Sequence, residues 1–90
     1  MTLSPREASE LLRRHGLAPR QSLGQNFVVD ANTVRRIARL ADVGPEDHVV
    51  EIGAGLGSLT RALLETGARV TAIELDEGLV RALRETAPEA

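Results

Sequence analysis

Residues 51–57 read EIGAGLG, from Glu51 to Gly57, and this glycine-rich stretch decides the fold. The residues before it, 48–52 (HVVEI), are short and β-branched and predict a strand. A helix is predicted to begin near Ser58, with Leu59, Ala62 and Leu63 facing inward and Gly67 ending it. A glycine loop between a strand and a helix is typical of the ligand-binding edge of an α/β sheet.

The same alternation continues downstream. Residues 69–73 (RVTAI) predict a second strand, separated from the first by a helix of about ten residues, which implies a right-handed parallel βαβ unit. Asp76 can cap a further helix that carries Leu79, Val80 and Leu83 and that Pro88 closes.

Two helices are predicted upstream. Ser4-Pro5-Arg6-Glu7 has the pattern of a capping box, and Gly16 can end the helix that it starts. A polar linker without periodicity follows at residues 18–27. Asp30 is a candidate N-cap for a second helix, which ends at the loop 42–47. The inward face of that helix is predicted to consist of Val34, Ile37, Ala38 and Ala41.

The predicted order is therefore α-α-β-α-β-α in a single domain, since the chain has 90 residues. A parallel sheet normally has more strands and is covered on both faces. We therefore expect an incomplete domain, the N-terminal portion of a larger α/β fold. Residues 1–45 form its helical segment, and residues 46–90 form its first two βα units.

Composition excludes several classes of protein. There is no cysteine, so disulfides, thiolate metal sites and a cysteine nucleophile are excluded, and two histidines are too few for a histidine-rich metal site. The sequence has no run of 18 apolar residues and no secretion signal at its start, which favours a cytoplasmic protein without membrane contact.

The net charge of −2 hides an asymmetry. Residues 1–40 carry seven arginines and three acidic residues, whereas residues 41–90 carry four arginines and ten acidic residues. The basic part could face a polyanion, or its arginines could simply solvate a helix face.

The glycine loop and Glu74, which lies 21 residues after Gly53, are the main chemical signal. Glycines allow a ligand to approach the backbone, and a carboxylate at the end of the second strand can accept hydrogen bonds from a ribose diol. The alternative is a tight turn beside an exposed acid. The spacing G-x-G-x-G differs from the dinucleotide fingerprint G-x-G-x-x-G and is the form associated with S-adenosylmethionine.

Glu51 could bond loop amides, lie near the ammonium group of that cofactor, or be a partly buried carboxylate bonded to backbone N–H groups.

Three segments together carry a resemblance to a known family: 23–27 (LGQNF), 51–60 (EIGAGLGSLT) and 72–76 (AIELD). From about Arg20 to Ala90 the chain resembles the rRNA adenine N6-dimethyltransferases, in particular the bacterial members that act on small-subunit rRNA. The block at 23–27 is the most specific of the three, because many methyltransferases share the glycine loop. The resemblance implies a Rossmann-like class I methyltransferase fold that uses S-adenosylmethionine.

The resemblance also implies roles for individual residues. Gln25 is expected to orient the segment 23–27 that contains it. At the position of Val28 the family usually has leucine. No catalytic residue is expected in this chain, because it lacks the family's Asn-Leu/Ile-Pro-Tyr motif that receives the target adenine, and no metal ligand is expected. The implied cofactor-binding residues are Asn26, Val28, Gly53, Gly55 and Glu74.

The implied reaction is N6,N6-dimethylation of two adjacent adenosines in the 3′-terminal hairpin of small-subunit (16S) rRNA, during ribosome biogenesis. The expected partner is this rRNA in the 30S precursor, the expected protein is a monomer, and the 90-residue chain alone is expected to be inactive. Two alternatives stay open: a noncatalytic RNA-binding or ribosome-assembly factor of the same fold, and an NAD-dependent oxidoreductase.

Overall fold

A computed structural model of the chain describes residues 4–16 and 30–90, and the predicted order of elements is confirmed there. The elements are α1 (Pro5–Arg14), α2 (Ala31–Ala41), β1 (His48–Ile52), α3 (Ser58–Glu65), β2 (Arg69–Ile73) and α4 (Glu77–Thr86). Helix α3 begins at Ser58, as predicted, but it has eight residues and not about ten, because it ends at Glu65.

The predicted helix starts are confirmed by their hydrogen bonds. The N–H of Glu7 donates to the Ser4 hydroxyl (3.1 Å), and the N–H of Ser4 donates to the Glu7 carboxylate (3.2 Å), which completes a capping box. The Asp30 carboxylate accepts from the first-turn N–H groups of α2, and Asp76 does the same for α4. These local side-chain bonds satisfy donors that no helix can satisfy internally.

Strands β1 and β2 pair in parallel, with Val49 opposite Val70 and Ile52 opposite Ile73. The side chains of Val49 and Val70 are directed to the face on which the helices pack, since Val70 is buried and Val49 packs against the same apolar cluster. The fold class is confirmed: a Rossmann-like α/β unit with the beginning of a parallel sheet.

Two apolar clusters hold the helices in place. The first joins α2, α3 and β2, and consists of Val34, Ala38, Ala62, Leu63 and Val70. The second joins α1, α4 and the glycine loop, and consists of Ala8, Leu11, Leu12, Leu56, Leu79 and Ala82. The second cluster places the side chain of a loop residue, Leu56, inside the core.

The predicted inward face of α2 is partly wrong. Val34 and Ala38 are buried, but Ala41 is exposed and the side chain of Ile37 remains 44% exposed. The reason is geometric, because α2 meets α3 along one narrow i, i+4 row and Ile37 lies to the side of that row.

The other face of the sheet is uncovered in the described residues. Val50 is 56% exposed, Ile52 81% and Ile73 44%, and polar His48 and Thr71 share this face through a hydrogen bond of 2.7 Å. The sheet therefore has helices on one face only here, whereas parallel sheets normally bury both faces.

The cap of α2 gives a test of the fold. Asp30 Oδ1 accepts from the N–H groups of Asn32 (2.7 Å) and Thr33 (3.2 Å). We expect Asp30→Ala to lower the free energy of unfolding by about 1 kcal/mol, and Asp30→Asn to cost much less because asparagine caps helices nearly as well. Urea unfolding of the intact protein measures both variants. Equal losses for the two variants would contradict the assignment of this cap.

Candidate functional site

The carboxyl ends of β1 and β2 meet at one edge of the sheet and carry the candidate site. The N–H of Gly53 donates to the carbonyl of Ile73 (2.8 Å), and the N–H of Ala54 approaches the same oxygen at 3.3 Å. The parallel ladder thus continues past the strands into the glycine loop. Gly53 and Glu74 are the first residues after their strands, so the ladder brings them to the same edge.

The carboxylate of Glu74 connects the glycine loop to the start of α4. Its Oε1 accepts from the N–H of Gly55 (2.8 Å), and its Oε2 accepts from the N–H of Asp76 (3.1 Å). Glu74 is half-buried, unlike the exposed acid of the alternative interpretation. A carboxylate has about four acceptor positions. Two backbone N–H groups use one position on each oxygen, so further acceptor capacity remains for a ligand.

The two outer glycines of the loop differ in what surrounds them. Both Gly53 (φ +76°) and Gly57 (φ +91°) have left-handed backbones that disfavour a side chain. A Cβ at Gly57 would lie 2.8 Å from Thr86 Oγ1 and 3.0 Å from Leu83 Cδ2, whereas a Cβ at Gly53 would meet no atom of residues 4–16 and 30–90 within 4 Å. Packing inside the protein thus requires glycine at position 57, whereas none of the described residues fills the space beside Gly53.

Glu51 lies on the inner face of β1, beneath α3. Its Oε1 accepts from the hydroxyl of Thr60 at 2.5 Å, and Thr60 is fully buried. Burial raises the pKa of the Glu51 carboxyl, and the Thr60 hydrogen bond opposes that rise. Of the three interpretations left open for Glu51, the partial burial is observed, but the partner is a side-chain hydroxyl and not a backbone N–H, and a position near the ammonium group of a cofactor stays a prediction. The sequence signal for this contact is a threonine at the third position of the following helix.

Other sequence predictions have different outcomes. Asp76 acts as the N-cap of α4, as predicted. Gln25, Asn26 and Val28 lie outside the described residues. The placement of Gly53, Gly55 and Glu74 brings three of the five candidate cofactor-binding residues together at one sheet edge, and their role toward a cofactor stays a prediction.

The basic N-terminal part is partly neutralised by α4. Arg14 forms an ion pair with Glu85, and His15 Nε2 lies 2.9 Å from the other carboxylate oxygen of Glu85. Arg13 is exposed on the same helix end. No helix among residues 4–16 and 30–90 has the length and apolar character that crossing a membrane requires.

The amino-acid sequence matches a known protein family over most of its length. A family profile described as "Ribosomal RNA adenine dimethylase" matches residues 16–89. The chain is 57% identical to "Ribosomal RNA small subunit methyltransferase A" of Streptomyces coelicolor over 84 residues, which are 93% of this chain and 29% of the relative. It is 54% identical to the protein of the same name from Leifsonia xyli, over 98% of this chain and 33% of the relative. The chain thus spans about a third or less of the curated relatives that it matches.

The buried position of Glu51 predicts a pH dependence of stability. Because burial raises its pKa above the ordinary 4.5, the folded protein keeps this proton to a higher pH than the unfolded chain does. The contribution of Glu51 to the free energy of unfolding therefore falls as the pH rises from about 4.5 through the folded-state pKa.

Glu51→Gln removes this titration and keeps an oxygen that can accept from Thr60. We expect the stability of the variant relative to the wild type to increase over that pH range and to level off above it. Thermal or urea unfolding of both proteins between pH 4 and pH 8 measures the difference. A difference that is constant or that decreases with pH would contradict the burial of this carboxyl.

Proposed function

The chain belongs to the ribosomal RNA adenine dimethylase family, and from this membership we propose that the full-length protein, of which this chain forms part, transfers methyl groups from S-adenosylmethionine to small-subunit rRNA. The proposed products are N6,N6-dimethylated forms of two adjacent adenosines in the 3′-terminal hairpin. The observation that carries the proposal is the juxtaposition of the open Gly53 backbone with the Glu74 carboxylate, within a stretch that the family profile covers. The partner is the rRNA of the 30S precursor, and the protein acts as a monomer in the cytoplasm.

The geometry of the loop fits the proposed cofactor. The space beside Gly53 leaves its main chain accessible to the methionine end of the ligand. Glu74 retains acceptor capacity for the ribose diol while it holds Gly55. We propose that Asn26, Val28, Gly53, Gly55 and Glu74 bind the cofactor, which supplies an electrophilic methyl group.

The contribution of these residues to the reaction is positioning. Methyl transfer is an in-line displacement that needs the amine lone pair aligned with the methyl carbon, so a rigid donor site supplies much of the rate. The target adenine must leave its stack to reach the methyl group. The hydrogen bonds from Gly53 and Gly55 to the end of β2 fix the loop on which the donor lies. We propose no contact of this chain with the target base.

A noncatalytic RNA-binding factor is the second candidate. The observation that favours it is α2, whose Arg35, Arg36 and Arg39 are exposed and whose sequence contains no acidic residue. Arginine contacts to phosphate attach a protein to RNA without methyl transfer. Both candidates predict RNA binding, so only the transfer of a methyl group separates them. The glycine spacing and the family membership argue against an oxidoreductase.

A methyl-transfer assay tests the proposal. The full-length protein is incubated with 30S particles whose 16S rRNA lacks the N6-methyl groups at these adenosines. The methyl donor is S-adenosylmethionine labelled in its methyl group. We expect label in two adjacent dimethylated adenosines, located by nuclease digestion and mass spectrometry. Salt-sensitive binding to the particles without any label would support the noncatalytic factor instead. A titration with NADH is the control for nicotinamide binding.

The role of Glu74 can be tested apart from catalysis. We expect Glu74→Ala to weaken binding of S-adenosylhomocysteine, the demethylated cofactor, by roughly 1–3 kcal/mol, because charge-assisted hydrogen bonds to the ribose are lost. Isothermal titration calorimetry of the intact protein measures this change. Glu77→Ala is the matched control, since Glu77 is an exposed acid three residues along the chain in the first turn of α4.

Glu74→Ala also removes the hydrogen bond to Gly55, so weaker binding alone could come from a disturbed loop. A second ligand without the ribose 2′-hydroxyl distinguishes this effect from the loss of a ribose contact. The wild type should prefer S-adenosylhomocysteine to its 2′-deoxy analogue, and Glu74→Ala should abolish most of that preference. If the preference survives in Glu74→Ala, the carboxylate supports the loop and does not contact the ribose.

A further inference from the structure

We infer that Thr86, the last residue of α4, is a positioning residue that fixes the glycine loop 53–57 in the form that binds S-adenosylmethionine. The inference rests on the function proposed above for this loop. Thr86 is not among the residues that the sequence pattern or the family resemblance points to. It lies 30 residues after Leu56, at the opposite end of α4 from Glu74.

The hydroxyl of Thr86 bonds to the loop in preference to its own helix. Thr86 Oγ1 donates to the carbonyl of Leu56 at 2.9 Å, whereas the carbonyl of Leu83, one turn earlier in α4, is 3.5 Å away. A threonine in a helix can donate to a carbonyl of the preceding turn. Here the shorter and stronger bond crosses from α4 to the glycine loop, and the side chain is half-buried around it.

Close contact with Gly57 adds a second restraint from the same atom. Thr86 Oγ1 lies 2.8 Å from the position that a Cβ on Gly57 would occupy. The loop and the hydroxyl are therefore packed so closely that no side chain fits between them. The loop can take this left-handed turn against α4 only because residue 57 is glycine. Thr86 therefore contacts two consecutive residues of the loop, Leu56 by a hydrogen bond and Gly57 by packing.

The loop is thus fixed from both sides of its centre. The end of β2 holds it through the bond from Gly55 to Glu74, and α4 holds it through Thr86. The side chain of Leu56 is 3% exposed in the cluster with α1 and α4. These restraints leave the open side of Gly53 facing a ligand, and a site that is ordered before binding loses less entropy when the ligand arrives.

Three variants of the full-length protein distinguish the effect of the Thr86 hydroxyl from the effect of the shape of its side chain. Thr86→Val keeps the shape of the side chain and removes the donor, and Thr86→Ser keeps the donor. The matched control is Thr66→Val, because Thr66 is also a half-buried threonine at a helix end, and its hydroxyl donates to the carbonyl of Leu63 at 2.6 Å, away from the loop.

Two measurements are made on each variant. We expect Thr86→Val to weaken S-adenosylmethionine binding about fivefold by calorimetry, the factor that corresponds to one ordinary hydrogen bond. Amide hydrogen exchange without ligand should accelerate by a similar factor at Gly55 and Gly57, since the N–H of Gly55 is bonded to Glu74 and that of Gly57 to the carbonyl of Ala54 in the fixed loop. Thr86→Ser should restore both values, and Thr66→Val should change neither.

The outcomes separate this inference from the proposed function. A wild type that does not bind S-adenosylmethionine would reject the proposed function, and the exchange rates of the loop amides would still test the role of Thr86. Loop exchange in Thr86→Val equal to that in Thr66→Val would overturn the inference. So would a Thr86→Ser variant that behaves like Thr86→Val, because the hydroxyl would then not be the group that acts.

Discussion

Parallel pairing of β1 with β2 is the constraint on which the rest of the structure depends. The register places Ile52 opposite Ile73, and the carbonyl of Ile73 then accepts from the first loop N–H at 2.8 Å. A shift of one residue would turn either Val49 or Val70 out of the core, depending on which strand moves, and it would move Glu74 away from Gly55. The register that places the valines in the core is thus also the register that brings Gly55 and Glu74 together. The packing of the core therefore fixes the geometry of the candidate site.

Much of the fold could be predicted from the sequence because its signals are local. Ser4, Asp30 and Asp76 act on N–H groups two or three residues away, and such spacing is visible in a sequence. The contacts that escaped prediction are long-range. Glu51 meets Thr60 through the turn of the loop, and Thr86 meets Leu56 across 30 residues. Their geometry depends on how whole elements pack, which no short pattern records.

Glu74 illustrates why a site residue and a structural residue need not be different. The sequence pattern offered two interpretations of this acid, a ribose ligand or an exposed residue beside a tight turn. Its contacts are with the N–H groups of Gly55 and Asp76, so the carboxylate orders the loop whatever the loop binds. Under the proposed function, a substitution of Glu74 would remove the proposed ribose contact and would also relax the backbone of the glycine loop.

The docking of α1 has a consequence for the order of events during synthesis. Its apolar partners include Leu79 and Ala82, and Arg14 meets Glu85, which is 71 residues further along the chain. A ten-residue helix is marginal by itself in water, so α1 must wait until α4 has left the ribosome before it gains tertiary support. Leu56 of the glycine loop belongs to the same apolar cluster. Helix α1 is therefore expected to pack after α4, although it precedes α4 along the chain, and the apolar cluster beside the glycine loop is completed at that step.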